Sequence, residues 1–194
     1  MAQKKTLIIT DPSRYFRILQ KYLKKKIKKR LISFLTKYSV LSDKQFGFRE
    51  KMSTENAILQ LTNYLYDNLD KSKPSLCIFV DLSKAFDTVD HDDLLKRLYS
   101  YGIRGVAYEL IKSYLSNRKQ LVAINNVKSN FKQITCGVPQ GTVLGPLLFI
   151  LYVNDLLKMS TLGQIISYAD DTAIFYSGDS WDSVKVKESV AILA

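Results

Sequence analysis

The chain of 194 residues has room for one ordinary domain, or a domain with an appended lobe, and enough apolar residues to bury a core. No window offers the roughly 18 consecutive apolar residues of a membrane-spanning helix, and the first residues lack a secretory signal, so we expect a soluble intracellular protein. The two cysteines, Cys77 and Cys136, lie in apolar segments without metal-like spacing and are interpreted as reduced packing residues.

The net charge of +11 is concentrated at one end of the chain. Residues 1–51 contain 15 Lys and Arg against 3 Asp and Glu, whereas residues 52–194 contain 14 against 15. A segment this basic favours a phosphate backbone as its partner, with an anionic membrane surface as the second candidate. The basic run at residues 21–30 is explained equally well as a solvated helix that docks through its apolar residues.

Two helices are predicted before the first strand. Residues 12–38 have a helical and basic pattern, and residues 40–51 are predicted to form a loop. A second helix begins at Ser53 or Thr54, either of which can cap it, and residues 71–75 end it. Its apolar face is predicted from Ala57, Ile58, Leu61 and Leu65.

The first predicted strand is an almost continuous apolar run at residues 76–82, as expected of a strand covered on both faces. Its one charge is Asp81, at the C-terminal end. Helices are predicted at residues 92–101 and 106–116, with the inward-facing apolar residues Leu94, Leu95, Leu98, Leu110, Ile111 and Tyr114.

Two hairpins and a further helix complete the predicted elements. Strands at Lys119–Ile124 and residues 127–135 flank Asn125-Asn126, which tolerates positive φ. An apolar helix is predicted at residues 145–157, and a second hairpin pairs residues 164–169 with 172–176 around Asp170-Asp171. This order predicts an α+β domain with an antiparallel sheet backed by helices on one face.

The aspartates Asp81, Asp170 and Asp171 are the candidate metal ligands. Adjacent carboxylates at a hairpin tip repel each other, and Asp81 adds to the repulsion if its strand is a neighbour. Two divalent ions about 4 Å apart would relieve it, and could activate an attacking hydroxyl and stabilise a leaving phosphate. Taken alone, each signal is better explained by ordinary turn residues and a helix cap.

Four segments, in the right order and spacing, resemble motifs of the reverse transcriptases of non-LTR retrotransposons. Phe-Val-Asp-Leu-Ser-Lys-Ala-Phe-Asp at 79–87 resembles the first catalytic motif, and Gly-Val-Pro-Gln-Gly at 137–141 through Asn154-Asp155-Leu156 resembles the second. Tyr-Ala-Asp-Asp at 168–171 resembles the third, and Gln45 to Arg49 followed by Ser53-Thr54 resembles the segment before the first. The resemblance spans nearly the whole chain from about residue 13 onward.

The resemblance implies the palm of a right-hand polymerase at residues 76–194 and a partial, basic and mostly helical fingers region at residues 1–75. The family's final palm strand and thumb would lie beyond Ala194. The implied reaction is attack of a DNA primer 3′-hydroxyl on the α-phosphate of a dNTP, directed by an RNA template. The expected location is the cytoplasm or nucleus, within a ribonucleoprotein and without a membrane.

The metal ligands implied by the resemblance are Asp81 and Asp170 for both of two Mg²⁺ or Mn²⁺ ions, with Asp171 assisting. The Leu82 carbonyl would be a further oxygen on the nucleotide-side ion. Catalysis would come from positioning and charge neutralisation, without a covalent enzyme intermediate.

The implied nucleotide contacts follow the first and second motifs. Phe86 matches the steric gate that excludes a 2′-hydroxyl; its alternative is a core aromatic. The N–H groups of Lys84 and Ala85 would cradle the triphosphate, and Gln140 would touch the nucleotide. In this family an arginine of the fingers binds the triphosphate, and Arg17 is the best candidate for it here.

The implied nucleic-acid contacts are Arg49, Gly141, Arg118 and Lys119. Gly141 would let backbone approach the templating base, while a solvated hairpin end explains Arg118 and Lys119 equally well. Outside these contacts, His91 and Trp181 are interpreted as structural and packing residues.

Three alternatives to an active polymerase remain open on the sequence. A non-catalytic nucleic-acid-binding module would use the basic segment and need no Mg²⁺. A two-metal nuclease or phosphatase would explain the aspartates but neither Phe86 nor the Gln140 loop. An inactive fragment of a decaying element copy would also show this pattern.

Overall fold

A computed structural model describes the backbone of residues 6–7, 14–125, 127–158 and 163–192, and the side chains of residues 21–125, 127–158 and 163–187. The described chain forms two compact units, each made from two segments. The first unit contains Met1–Tyr38 and Phe86–Leu148, and the second contains Ser39–Ala85 and Phe149–Ala194. Neither coincides with the predicted division at residue 75, so the assignment of fingers and palm by function remains a proposal.

The second unit is built on a three-stranded antiparallel sheet in the order β2-β7-β6. Its strands are β2 (Ser75–Val80), β6 (Gln164–Tyr168) and β7 (Asp171–Ser177). The helices of this unit are α2 (Thr54–Asp70), α6 (Trp181–Ile192) and the greater part of α5 (Gly145–Lys158). A short turn joins β6 to β7, so these two strands form a hairpin.

Helix α2 covers one face of this sheet. Ser53 caps it in a capping box, because the Ser53 hydroxyl accepts the Asn56 N–H and the Asn56 side chain accepts the Ser53 N–H. The core cluster beneath it contains Phe46, Ala57, Ile166 and Phe175, with Leu61, Tyr64, Leu65 and Cys77 packed around it. Ile58, predicted on the same apolar face, is 58% exposed, so that assignment is wrong.

The opposite face of the sheet is also buried along the hairpin. Ile165 and Ile166 point to opposite faces of β6 and both are buried, as are Phe175 and Tyr176 of β7. The predicted covering of one face only is therefore wrong. The physical reason is that the apolar residues of these strands are consecutive and do not alternate with polar ones.

The first unit contains three helices and a small second sheet. Its helices are α1 (Arg14–Lys37), α3 (His91–Ser100) and α4 (Gly105–Leu115), and its strands are β1 (Thr6–Leu7), β3 (Lys119–Ile124), β4 (Val127–Lys128) and β5 (Lys132–Gln133). The central strand β3 pairs antiparallel with β1, β4 and β5. The predicted strand at 127–135 is thus two short strands, and Asn126 of the predicted turn lies outside the described residues.

The core of the first unit comes from α3, α4 and α1. Asp90 caps α3 by accepting the Asp93 N–H at 2.9 Å. The buried apolar residues include Leu31, Leu35, Leu94, Leu95, Leu98, Ile111 and Leu115. Leu110 was predicted to face inward but is 47% exposed, because Ile111 and Leu115 form the buried stripe of α4 instead.

The two cysteines and the tryptophan differ in burial. Cys77 is partly buried in the core cluster, and desolvation raises the pKa of its thiol. Cys136 and Trp181 are exposed, so neither is the packing residue that was expected. Within the described ranges, no helix combines the length and the apolar character needed to cross a bilayer.

Candidate active site

The pairing of β2 with β7 brings the predicted aspartates to one edge of the sheet. Val80 pairs with Thr172, so continuing this register by one residue sets Asp81 opposite Asp171. Side chains alternate along a strand, so both positions belong to the face that carries Phe79 and Ala173. Phe79 is 74% exposed, and Asp81 and Asp171 are exposed, so this corner of the sheet is open to solvent.

Asp170 lies in the turn that joins β6 to β7. Tyr168 pairs with Asp171, which leaves Ala169 and Asp170 as the two turn residues. The predicted tip of Asp170 and Asp171 is thus displaced by one position, and Asp171 is the first residue of β7. Ala169 has φ 60°, the positive value that a type II′ hairpin turn requires at its first position. For alanine a backbone strained by positive φ costs about 1–3 kcal/mol.

The side chain of Gln45 holds this turn. It is 1% exposed. Its Oε1 accepts the Ala169 N–H at 2.9 Å and the Gly47 N–H at 2.8 Å. Its Nε2 donates to the Ala169 carbonyl at 3.2 Å and to the Ser167 hydroxyl at 3.0 Å. Every donor and acceptor site of the amide is therefore used.

The segment after Asp81 turns immediately. The Ala85 N–H donates to the Leu82 carbonyl at 3.1 Å, and Lys84 has φ 56°. Alternation of right- and left-handed residues is the conformation of anion-binding nests, which fits the predicted cradle at Lys84. The Ala85 N–H already has a backbone partner, so its predicted contact with a triphosphate is not available in this conformation. The Leu82 carbonyl keeps a second lone pair.

The three aspartates fit a divalent metal by donor chemistry and by backbone placement. Carboxylate oxygens are the ligands that Mg²⁺ prefers, and no described lysine or arginine forms an ion pair with Asp81, Asp170 or Asp171. The side chains are not drawn together, however. Among the described residues, no group of three or more His, Cys, Asp or Glu side chains is gathered in a way that could hold a metal ion.

The loop at residues 137–141 and the segment that begins at Phe86 are joined within the first unit. The Val138 N–H donates to the Phe86 carbonyl at 2.8 Å, and the Gly137 N–H donates to the Val89 carbonyl at 2.7 Å. Gln140 is exposed, and its Nε2 donates to Asp87 Oδ1 at 3.3 Å. The predicted nucleotide-binding residues Phe86 and Gln140 therefore lie on two hydrogen-bonded segments.

Glycine and histidine fix the shape of this loop. A Cβ at Gly137 would lie 2.9 Å from the Asp87 carbonyl oxygen, and His91 Nε2 lies 2.8 Å from the Gly137 oxygen. His91 is the first residue of α3, which agrees with its predicted structural role. Gly141 has φ 70° and open space around it, which is compatible with its predicted place beside a template.

The predicted nucleic-acid contacts differ in what the structure shows. Arg49 donates from Nη1 to the carbonyls of Ser42 and Gln45, so it braces its own loop. Arg118 lies 5.9 Å from the Tyr114 ring centroid, and Lys119 is exposed on β3. The Arg17 side chain lies outside the described residues.

Gln45 and Gly47 are residues for which the sequence predicted no role in the site. A Cβ at Gly47 would lie 2.2 Å from the Ala169 nitrogen, so the two backbones are in direct contact. Both residues belong to the segment that resembles the family motif before the first catalytic motif. Nothing local to that segment indicates its partner, because the contact spans 124 residues of sequence.

Comparison with known proteins agrees with the motif pattern. Residues 3–193 match the family model described as "Reverse transcriptase (RNA-dependent DNA polymerase)". Over 168 residues the chain is 33% identical to "Probable RNA-directed DNA polymerase from transposon BS" of Drosophila melanogaster, which covers 83% of this chain and 18% of that protein. It is 31% identical to "RNA-directed DNA polymerase from mobile element jockey" of the same species, covering 84% of this chain and 18% of that protein.

A solved structure shows a similar fold. It is that of apo telomerase from Candida tropicalis, truncated from the C-terminal domain. The match has a TM-score of 0.61 with 16% sequence identity, and it covers 95% of this chain and 41% of that chain. At this identity the likeness concerns the fold alone.

Proposed function

This chain belongs to the reverse transcriptase (RNA-dependent DNA polymerase) family, and from that premise we propose that it contributes the palm and part of the fingers of a non-LTR retrotransposon reverse transcriptase. The relatives that support this origin are polymerases of transposable elements. The chain spans about 18% of the length of those relatives, so their activity is carried over here as part of the proposal.

The observation that carries the proposal is the register of β2 and β7. It sets Asp81 opposite Asp171, beside the turn that holds Asp170, at a corner open to solvent. Two-metal phosphoryl transfer needs carboxylates close enough to bind two ions about 4 Å apart, and this register brings their backbone positions to one edge. A nucleic-acid-binding module has no need of acidic side chains at such a corner, because phosphates repel them.

Asp81 and Asp170 would hold two Mg²⁺ ions, with Asp171 assisting and the Leu82 carbonyl as a further oxygen. When bound, the ions would lower the pKa of the primer 3′-hydroxyl and neutralise charge on the transferred phosphoryl group. The protein's own part is to fix the carboxylates at the sheet edge before substrate arrives. Catalysis would come from this positioning and from charge neutralisation, without a covalent intermediate between enzyme and substrate.

The nucleotide contacts would come from the first and second motifs. Phe86 would lie under the sugar as the steric gate, and Gln140, tethered to Asp87, would contact the incoming dNTP. The nest-like turn at Lys84 would bind the triphosphate. The exposed lysines of α1 would bind the phosphates of the RNA template and DNA primer.

Primer extension tests this function. The chain, and a fusion in which the sequence following the matched region of the jockey polymerase follows Ala194, are incubated with a DNA primer on an RNA template. The proposal expects dNTP-dependent extension by at least the fusion, and only with Mg²⁺ or Mn²⁺. Absence of extension by both proteins with both ions, or extension that persists in EDTA, would refute it.

A further inference from the structure

The Gln45 side chain is fully hydrogen-bonded, as a buried amide must be for stability, and its bonds converge on one turn. Its amide has two donor hydrogens and two acceptor lone pairs, and all are matched by Ala169, Gly47 and Ser167. Two of the bonds go to the N–H and the carbonyl of the same residue, Ala169. A pair of bonds to both backbone groups of one residue fixes the orientation of that peptide segment.

The residue that Gln45 holds has a strained backbone conformation. Ala169 has φ 60° and is 7% exposed, and it immediately precedes Asp170 and Asp171. Non-glycine residues in the left-handed region persist where surrounding contacts over-determine them, and they cluster at functional sites. The Gln45 amide supplies those contacts, and so the direction in which Asp170 leaves the turn depends on Gln45.

Backbone contacts align the Gln45 segment with the hairpin. The Phe46 N–H donates to the Ser167 carbonyl at 2.8 Å, and the Ser167 N–H donates to the Lys44 carbonyl at 2.8 Å. Gly47 packs directly on Ala169, where any larger residue would meet backbone at 2.2 Å. The segment thus runs beside β6 as a short parallel bridge.

Side-chain hydrogen bonds also hold the loop of residues 40–51 that carries Gln45. Asn154 of α5, a buried amide, accepts the Ser42 N–H at 2.8 Å and donates to the Val40 carbonyl at 3.0 Å. Arg49 binds the carbonyls of Ser42 and Gln45. These bonds hold the loop ends while Gln45 reaches the turn.

We propose that Gln45 is a positioning residue: it locks the strained Ala169 turn and thereby fixes the backbone from which Asp170 and Asp171 would bind metal. The effect on metal binding rests on the proposed polymerase function. The hydrogen bonds by which Gln45 holds the turn are a property of the folded chain and are tested without that function. The rival explanation is that Gln45 is a buried amide that only stabilises the second unit.

Two variants and a matched control separate these explanations. Gln45→Met keeps the length of the side chain and removes all four hydrogen bonds, while Gly47→Ala pushes directly on the Ala169 backbone. The control is Asn68→Leu, which removes a buried amide of the same unit whose Nδ2 donates to the Tyr64 carbonyl of α2 and does not contact the turn.

Amide hydrogen exchange measures directly how firmly Gln45 holds the turn. It is followed residue by residue by NMR on the full chain, without metal or nucleic acid. Gln45→Met and Gly47→Ala should accelerate exchange at Ala169 by about tenfold or more relative to the core residue Ile166. Asn68→Leu should leave that ratio unchanged. An unchanged ratio in Gln45→Met, or an equal change in Asn68→Leu, overturns the proposal.

The kinetic readout is the Mg²⁺ dependence of single-nucleotide extension. Gln45→Met should raise the half-saturating Mg²⁺ concentration by about tenfold and lower kcat, without changing the dissociation constant for primer and template. A merely stabilising residue would lower only the amount of active protein. If Asp170→Asn also extended primers, the polymerase function would fail, while the exchange experiment would still decide whether Gln45 locks the turn.

Discussion

Val80 and Thr172 are paired across β2 and β7, and this one pair brings two distant motifs together. The residue after Val80 is Asp81, and the residue before Thr172 is Asp171. Because antiparallel neighbours run in opposite directions, both carboxylates leave the sheet at the same edge. The Ala169–Asp170 turn is part of that edge, so three candidate ligands share it.

Divalent metal should stabilise the protein if these carboxylates bind it. An ion at about ten times its dissociation constant adds about 1.4 kcal/mol, which raises the Tm of a domain of this size by about 3–6 °C. Differential scanning fluorimetry with Mg²⁺ and Mn²⁺ measures the shift. Asp81→Asn and Asp170→Asn should each weaken it, and an undiminished shift in both would contradict the ligand assignment.

Replacing Phe86 by valine should admit ribonucleotides if the ring lies beneath the sugar. The ratio of kcat/KM for dNTP to that for rNTP should fall, because the clash with the 2′-hydroxyl is removed. Comparing ratios cancels any loss of folded protein.

Phe34→Val is the matched control for this change, because Phe34 is a half-buried phenylalanine of α1 in the same unit. It should lower stability by about 2–4 kcal/mol at most, without moving the ratio. If Phe86→Val still extends DNA and its ratio of kcat/KM for dNTP to that for rNTP is unchanged, Phe86 is a core aromatic and not the steric gate.

Lysines on α1 should set the salt dependence of nucleic-acid binding. Lys25 and Lys29 are exposed. Changing both to glutamine should weaken binding and reduce the slope of log K against log salt by about 0.7–0.9 for each phosphate that a lysine no longer neutralises. Fluorescence anisotropy with a primer–template measures the slope, and the exposed pair Lys51 and Lys71 serves as the charge-matched control. If the two double variants weaken binding and reduce the slope equally, binding depends on net charge alone and not on the lysines of α1.

The capping box of α2 should contribute to stability. Ser53→Ala removes the hydroxyl that accepts the Asn56 N–H at 3.2 Å and should lower the free energy of unfolding by about 1 kcal/mol. Thr54→Ala, at the next position, should have a smaller effect because it is not the cap. Urea denaturation measures both, and a larger loss in Thr54→Ala would contradict the assigned helix start.

Local chemistry made part of this structure predictable. Ser53 caps α2, which begins at Thr54, because capping depends on neighbouring residues. Strand β3 was predicted with its observed limits. The displaced hairpin tip has a distant cause: alanine tolerates positive φ at position 169 through bonds to Gln45, 124 residues away. No short-range pattern reports such a partner.

Helix faces and unit boundaries were the other limits of prediction. Ile58 and Leu110 satisfy the apolar periodicity of their helices and are nevertheless exposed, since periodicity identifies an apolar stripe but not its buried side. Each compact unit joins two separate segments, and its limits depend on contacts that sequence order does not express. The strands that carry the aspartates were predictable because apolar runs and a turn mark them, whereas the role of the aspartates as metal ligands stays a prediction.

The most direct test of the central claim is single-turnover primer extension by Asp170→Asn, compared with Asp67→Asn. Asp67 is an exposed aspartate of α2 in the same unit, so its change removes the same charge away from the sheet edge. With equal folded fractions on an RNA template in Mg²⁺, Asp170→Asn should lose about a thousandfold or more in rate, while Asp67→Asn should retain the parental rate. Equal rates in the two variants would contradict the assignment of Asp170 to catalysis.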